Sequence, residues 1–328
     1  MQKQLVFLVV TTAAVFNCCT AQAQQGFNPY IMKSVQMLYA ERKGGGYDAN
    51  QALTKDLAYG VNNQCCVTGV PHPKPPANNP TDHKSMCVGG IQEVIVEAIN
   101  MYAQDHKNDP AALAKLPPID FLSGSTKLDL RPYLYEYSGF QSSGTASALL
   151  RFKLGTQVPF AQLQPGSFIN LNRTNGSGHA VVFLSFIDKD GNDLPSYSAA
   201  VKGFRDFTVQ GEGSADAGFT YRWAYFDPYC PAKNPNKPRD CGVISSSNQS
   251  LLNTGYMYDP QQWPDAQKIQ QILQAMRTDF LSQITTISPN AFSDKNPNKQ
   301  LNVEQFDAEL KRELPFSPNP KFSGITTD

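Results

Sequence analysis

The sequence predicts an α+β protein in which a helix beginning at a cysteine packs on an antiparallel β-sheet, followed by a mostly helical C-terminal extension. Three observations predict it. Val88, Ile91, Ile95, Ala98 and Tyr102 step by three, four, three and four residues after Cys87, the spacing of one helix face. Between residues 167 and 226 short β-forming segments alternate with polar turns. After residue 248 helical spacing returns, with Ile269, Ile272, Leu273, Met276 and Phe280 on one stripe.

The elements follow in order. A helix is expected over 29–40, before a glycine run at 44–46. Residues 69–81 are too rich in proline for a helix or a central strand. The helix at Cys87 runs to about residue 104, with Ser85 as its N-cap. Residues 111–165 read as loops with short elements, among them 147–153. Strands are expected at 167–172, 179–187, 203–210 and 219–226, and helices at 265–284 and 303–314. A boundary is expected near 245–260, dividing 24–248 from an extension over 249–328.

Composition narrows the function classes. The 28 Lys and Arg balance 28 Asp and Glu, so no basic footprint for nucleic acid exists. Beyond the N-terminus no apolar run approaches the ~18 residues of a membrane span, so stable membrane insertion is not expected. At about 100–200 residues per domain, 328 residues allow one large domain or two modest ones.

The N-terminus reads as a signal peptide over 1–23. Lys3 supplies its charge, 5–16 its apolar stretch, and Ala21-Gln22-Ala23 its cleavage site. The chain is therefore expected to be exported, to a periplasm or the exterior. Cleavage leaves Cys65, Cys66, Cys87, Cys230 and Cys241, an odd set that keeps at least one thiol outside any bridge. Cys230 and Cys241 flank a Pro/Asn/Lys loop and can close it, which is worth about 2–3 kcal/mol in the chain-entropy model. Cys65 and Cys66 are adjacent and bridge each other or separate partners. The simplest allocation leaves Cys87 as the thiol.

Cys87 lies in the first turn of its helix, where backbone N–H groups and the helix dipole favour thiolate. Gly89 and Gly90 follow; they let a substrate backbone approach, and each weakens a helix by about 1 kcal/mol relative to Ala. A small buried thiol with packing glycines is the plain structural alternative. His179 opens a strand straight after a Gly/Ser/Asn turn, and a core histidine is the corresponding alternative there. A hairpin of 179–187 with 203–210, centred near 193–195, sets His179 opposite Asp206, Thr208 or Gln210. These three share one strand face. Nucleophile on a helix start, base on a strand and orienting group on the next strand is the arrangement of covalent catalysis.

That order resembles the papain-like superfamily, and more narrowly the NlpC and CHAP families of bacterial cell-wall amidases and endopeptidases. Cys87-Val88-Gly89 is similar to their nucleophile segment. Gln164-Pro165-Gly166-Ser167-Phe168-Ile169 is similar to their Pro-Gly strand, and His179-Ala180-Val181-Val182-Phe183 to their histidine strand. Ser167 stands where those families usually carry Asp, and 105–164 reads as an insertion.

The resemblance implies a papain-like core over 24–248 and a cysteine peptidase or amidase. It implies Cys87 as nucleophile, His179 as base, and Gln210 or else Asp206 as third residue, with an oxyanion site near the Cys87 N–H and Gly89. No cofactor or metal is needed for such chemistry. The implied substrate is peptidoglycan peptide or another peptide, and an inhibitor protein is a further candidate partner. Two other functions stay open: a non-catalytic, disulfide-stapled secreted binding protein, and a papain-like acyltransferase or protein-processing enzyme.

Weaker motifs have plainer readings. Asp294 to Phe306 resembles an EF-hand loop, but Lys299 replaces its turn glycine and Gln305 its bidentate Glu, so an Asx-rich turn is expected. Asp188-Lys189-Asp190-Gly191-Asn192-Asp193 reads as a turn between strands. Tyr221 to Phe226 alternates as a strand with a packing role, a sugar-stacking face being the alternative.

Overall fold

The computed structural model describes residues 26–42, 44–45, 87–116, 144–175, 177–210, 218–249 and 251–265, with positions 267, 268, 271 and 275. The expected signal segment, Cys65 and Cys66, the proline-rich stretch 69–81, most of the helix at 265–284, and everything from 294 onward lie outside the described residues.

Helices α1 (Asn28–Arg42) and α2 (Cys87–Asp105) form where the helical spacing predicts them. Two short helices follow, α3 (Pro110–Leu113) and α4 (Thr145–Arg151). Asp109 caps α3 by accepting from the N–H groups of Ala111 and Ala112. The strands are β1 (Gly44–Gly45), β2 (Gly155–Gln157), β3 (Phe168–Asn172), β4 (Gly178–Ile187), β5 (Asp193–Leu194), β6 (Gly203–Gln210), β7 (Gly218–Phe226), β8 (Arg239–Val243) and β9 (Leu252–Met257). They join one mixed sheet in the order β1-β7-β6-β4-β3-β9-β2, with β5 on β4 and β8 on β7. The protein is therefore α+β.

Three features depart from the sequence reading. The sheet is not wholly antiparallel: β8 runs parallel to β7, because the chain loops out through 227–238 before returning. The sheet continues past residue 248, with β9 lying between β3 and β2. And α4 and β2, from the stretch read as an insertion, pack on this same sheet. Gly255 permits that contact, since a Cβ there would fall 2.2 Å from the Thr156 carbonyl oxygen and 2.8 Å from the Ala146 Cβ.

The sheet curls until β8 reaches β3. Arg173 bridges Val243, the Ile244 N–H donates to the Asn172 carbonyl at 2.9 Å, and the Thr174 N–H donates to the Gly242 carbonyl at 2.8 Å. Strands β3, β4, β6, β7 and β8 thus form a closed ring. Period-two alternation sorts their side chains into two cores. Ile169, Leu171, Val181, Phe183, Phe204, Ala224, Phe226 and Val243 fill the interior. Phe168, Ala180, Val182, Leu184, Phe207, Val209 and Phe219 face outward and are covered by α1, α2 and α4. The Ser34 hydroxyl donates to the Val94 carbonyl at 2.9 Å and ties α1 to α2. No helix among the described residues is long and apolar enough to cross a membrane.

Candidate functional site

Cys87 is the first residue of α2 and its thiol is buried, with 3% of its surface exposed. One turn on, Gly90 seats the helix against the sheet. A Cβ there would fall 2.4 Å from Val209 Cγ2 and 3.3 Å from Phe219, so any side chain would force the helix away. That contact sets the start of α2 on the outer face of β6 at Val209, whose chain neighbours Thr208 and Gln210 lie on the opposite face of the strand. Gly89 lies in the same first turn.

His179 is the second residue of β4 and pairs with Leu171 of β3, which faces the barrel interior. Its Nε2 lies 2.6 Å from Thr208 Oγ1, and that hydroxyl also lies 3.3 Å from the Ala180 carbonyl oxygen. With the proton on Nε2 the hydroxyl accepts from the ring and donates to the Ala180 carbonyl. Histidine and threonine are both buried, at 3% and 2% exposure.

The third position is where structure and sequence reading part. The ladder pairs Val182 with Phe207, and three residues further the same register sets His179 across from Gln210, with Thr208 on the diagonal. Yet Thr208 is the residue bonded to the ring. Gln210 sits at the last position of β6, and its side-chain carbonyl has no hydrogen bond among the described residues. Asp206 lies two residues further in and belongs to a different group. It pairs with Arg222 across β6 and β7, near Arg173 and Asp240. Burial and the neighbouring Asp240 carboxylate push its own carboxyl well above the usual range, against the opposing pull of Arg222 and Arg173.

Arg173 and Asp240 form a two-pronged pair, Nε to Oδ1 at 2.8 Å and a terminal nitrogen to Oδ2 at 2.7 Å. Sequence reasoning missed this cluster. The signal was present: Arg173 and Arg222 occupy inward positions of apolar strands, and a charge there requires a buried partner.

Cys87 and His179 approach one rim of the sheet from its two sides. The helix lies on the outer face, whereas the histidine ring turns inward.

Two weaker motifs fold as expected. Asp188 accepts from the N–H groups of Asp190 and Asn192, bonds that hold its carboxyl below the usual range. The Lys237 ammonium donates to the carbonyls of Asp190 and Gly191 at 3.1 and 2.9 Å, so the turn carries its own cation. In the 221–226 run Ala224 and Phe226 pack inside, and Tyr221 stacks on Tyr39 at 4.1 Å. Cys230 and Cys241 form a disulfide.

No protein-family model, curated protein or solved structure matches this chain.

Proposed function

We propose that the chain is an exported cysteine amidase or endopeptidase of papain-like type, cutting amide bonds in peptidoglycan peptides. The observation that carries this reading is the seating of Gly90 on Val209, the chain neighbour of Thr208, whose hydroxyl lies 2.6 Å from His179 Nε2. Thr208 occupies Nε2, so Nδ1 is the nitrogen that takes the thiol proton. The thiolate attacks the carbonyl carbon, and the oxyanion is met by backbone N–H at the helix start. Imidazolium then passes its proton to the departing amine, and water hydrolyses the thioester with the histidine again as base. Thr208 takes the orienting role expected of Gln210 or Asp206.

The inward-turned ring favours a second reading, a non-catalytic, disulfide-stapled binding protein with His179 as a core anchor.

Alkylation at about pH 6, where an ordinary thiol is almost wholly protonated, separates the two. The mature protein, 24–328, is purified without reductant and labelled as wild type and as His179→Ala. Fast labelling of Cys87, slowed by the histidine change, supports the enzyme, and peptidoglycan digestion lost in Cys87→Ser completes the test. A Cys87 that is inert, or indifferent to His179, leaves the binding protein.

A further inference from the structure

We propose that Arg173 is a positioning residue for His179, acting through Ser177 and Gly178; the inference rests on the cysteine–histidine reading above. Two arms of the guanidinium hold Asp240 of β8, and both side chains are more than nine-tenths buried. The third arm reaches the other way. It donates to the Ser177 hydroxyl at 3.0 Å and to the Gly178 carbonyl at 3.4 Å. Gly178 immediately precedes His179. The turn is closed from within as well: the Arg173 N–H donates to the Ser177 carbonyl at 2.8 Å, and Asn175 Oδ1 accepts from the Ser177 N–H and hydroxyl. One side chain therefore links β8 to the residue from which the histidine emerges.

The chemistry argues for placement over stability. A buried ion pair is weak evidence for stabilisation, since apolar residues of similar volume often serve as well. A planar fork, however, fixes direction at both ends, as a lysine cannot. Other groups share the barrel interior with the ring: Thr208 and Asp206 from β6, Arg222 from β7 and Asp240 from β8. Arg173 holds the Gly178 carbonyl just before His179, while the Thr208 hydroxyl reaches the Ala180 carbonyl just after it.

The test uses the oxidised mature protein and the rate of Cys87 alkylation by iodoacetamide from about pH 5 to about pH 9, with thermal melting alongside. Arg173→Gln and Arg173→Lys are both expected to slow labelling at about pH 6 by about tenfold or more, a fraction of what a general base supplies. Their profiles move toward that of His179→Ala. Ser177→Ala, which removes one contact only, is expected to show a smaller shift in the same direction at an unchanged melting temperature. Equal rates in wild type and His179→Ala overturn the cysteine–histidine reading, and this proposal with it. An intact histidine effect with a wild-type profile in folded Arg173→Lys overturns this proposal alone. If the Arg173 variants do not fold, a wild-type profile in Ser177→Ala overturns it.

Discussion

Two regions of the barrel interior are built from opposite chemistry. In one, Phe160, Phe183, Phe186, Phe204 and Phe226 meet mostly at steep angles, with Phe160 and Phe226 at 5.2 Å and 75° and Phe183 and Phe186 at 4.8 Å. In the other, Arg173, Asp206, Arg222 and Asp240 occupy the same inward register of the same ring of strands. The aromatic region depends on area and shape, so each ring contributes on its own. The ionic region depends on every partner being present, because each charge is tolerable only beside its counterpart. Position in a fold thus does not dictate how a site responds to change.

The sharpest way to break the comparison is Asp240→Ala. It removes the carboxylate that grips the Arg173 guanidinium at two points, and the expected loss is about 3–5 kcal/mol, read by denaturant unfolding. Replacing both partners with Leu and Met should recover most of that loss; a double variant as unstable as the single one would refute the all-or-none character of the pair.

Asp206→Asn comes next. Burial raises the Asp206 carboxyl, so the native state binds its proton more tightly than the unfolded chain. Wild-type stability from this group is complete below the ordinary value of 3.8 and falls as pH rises toward the raised native value. The amide removes that slope, at most about 1.4 kcal/mol per pH unit. Melting curves across the acid range should therefore show the variant's advantage growing with pH, and parallel curves would refute the assignment.

Phe183→Leu is the mildest. Its neighbours can relax around it, and about 1 kcal/mol is expected, without pH dependence. A pH-dependent loss here would show that the two regions are not separate.

Much of this architecture was legible in the chain. The stepped spacing after Cys87 marks α2, and the bounds of β6 coincide with the alternation read at 203–210. β8 and β9 were not legible, because Arg-Asp-Cys-Gly-Val and Leu-Asn-Thr-Gly-Tyr-Met carry little β-propensity. Pairing with β7 and β3 makes them strands. The site was legible in its parts. Alternation correctly grouped Asp206, Thr208 and Gln210 on one face. It could not choose among them, since that depends on side-chain length and on whether the diagonal neighbour reaches further than the directly opposed one. Nor does chain order say which side of the sheet a helix will cover, and that decides how Cys87 and His179 meet.

The Cys230–Cys241 bridge lies immediately beside Asp240, and the loop it closes also carries Lys237, the cation of the Asp188 turn. Arg239, between them, donates to the Pro231 carbonyl across the same loop. The bridged loop thus carries one cation that holds the 188–193 turn and ends beside the carboxylate that grips Arg173. In a reducing compartment the strand that completes the ring is held by weak forces alone; in an oxidising one it is clasped. The bridge thus pins the chain one residue from Asp240, the carboxylate that grips the arginine next to the histidine turn.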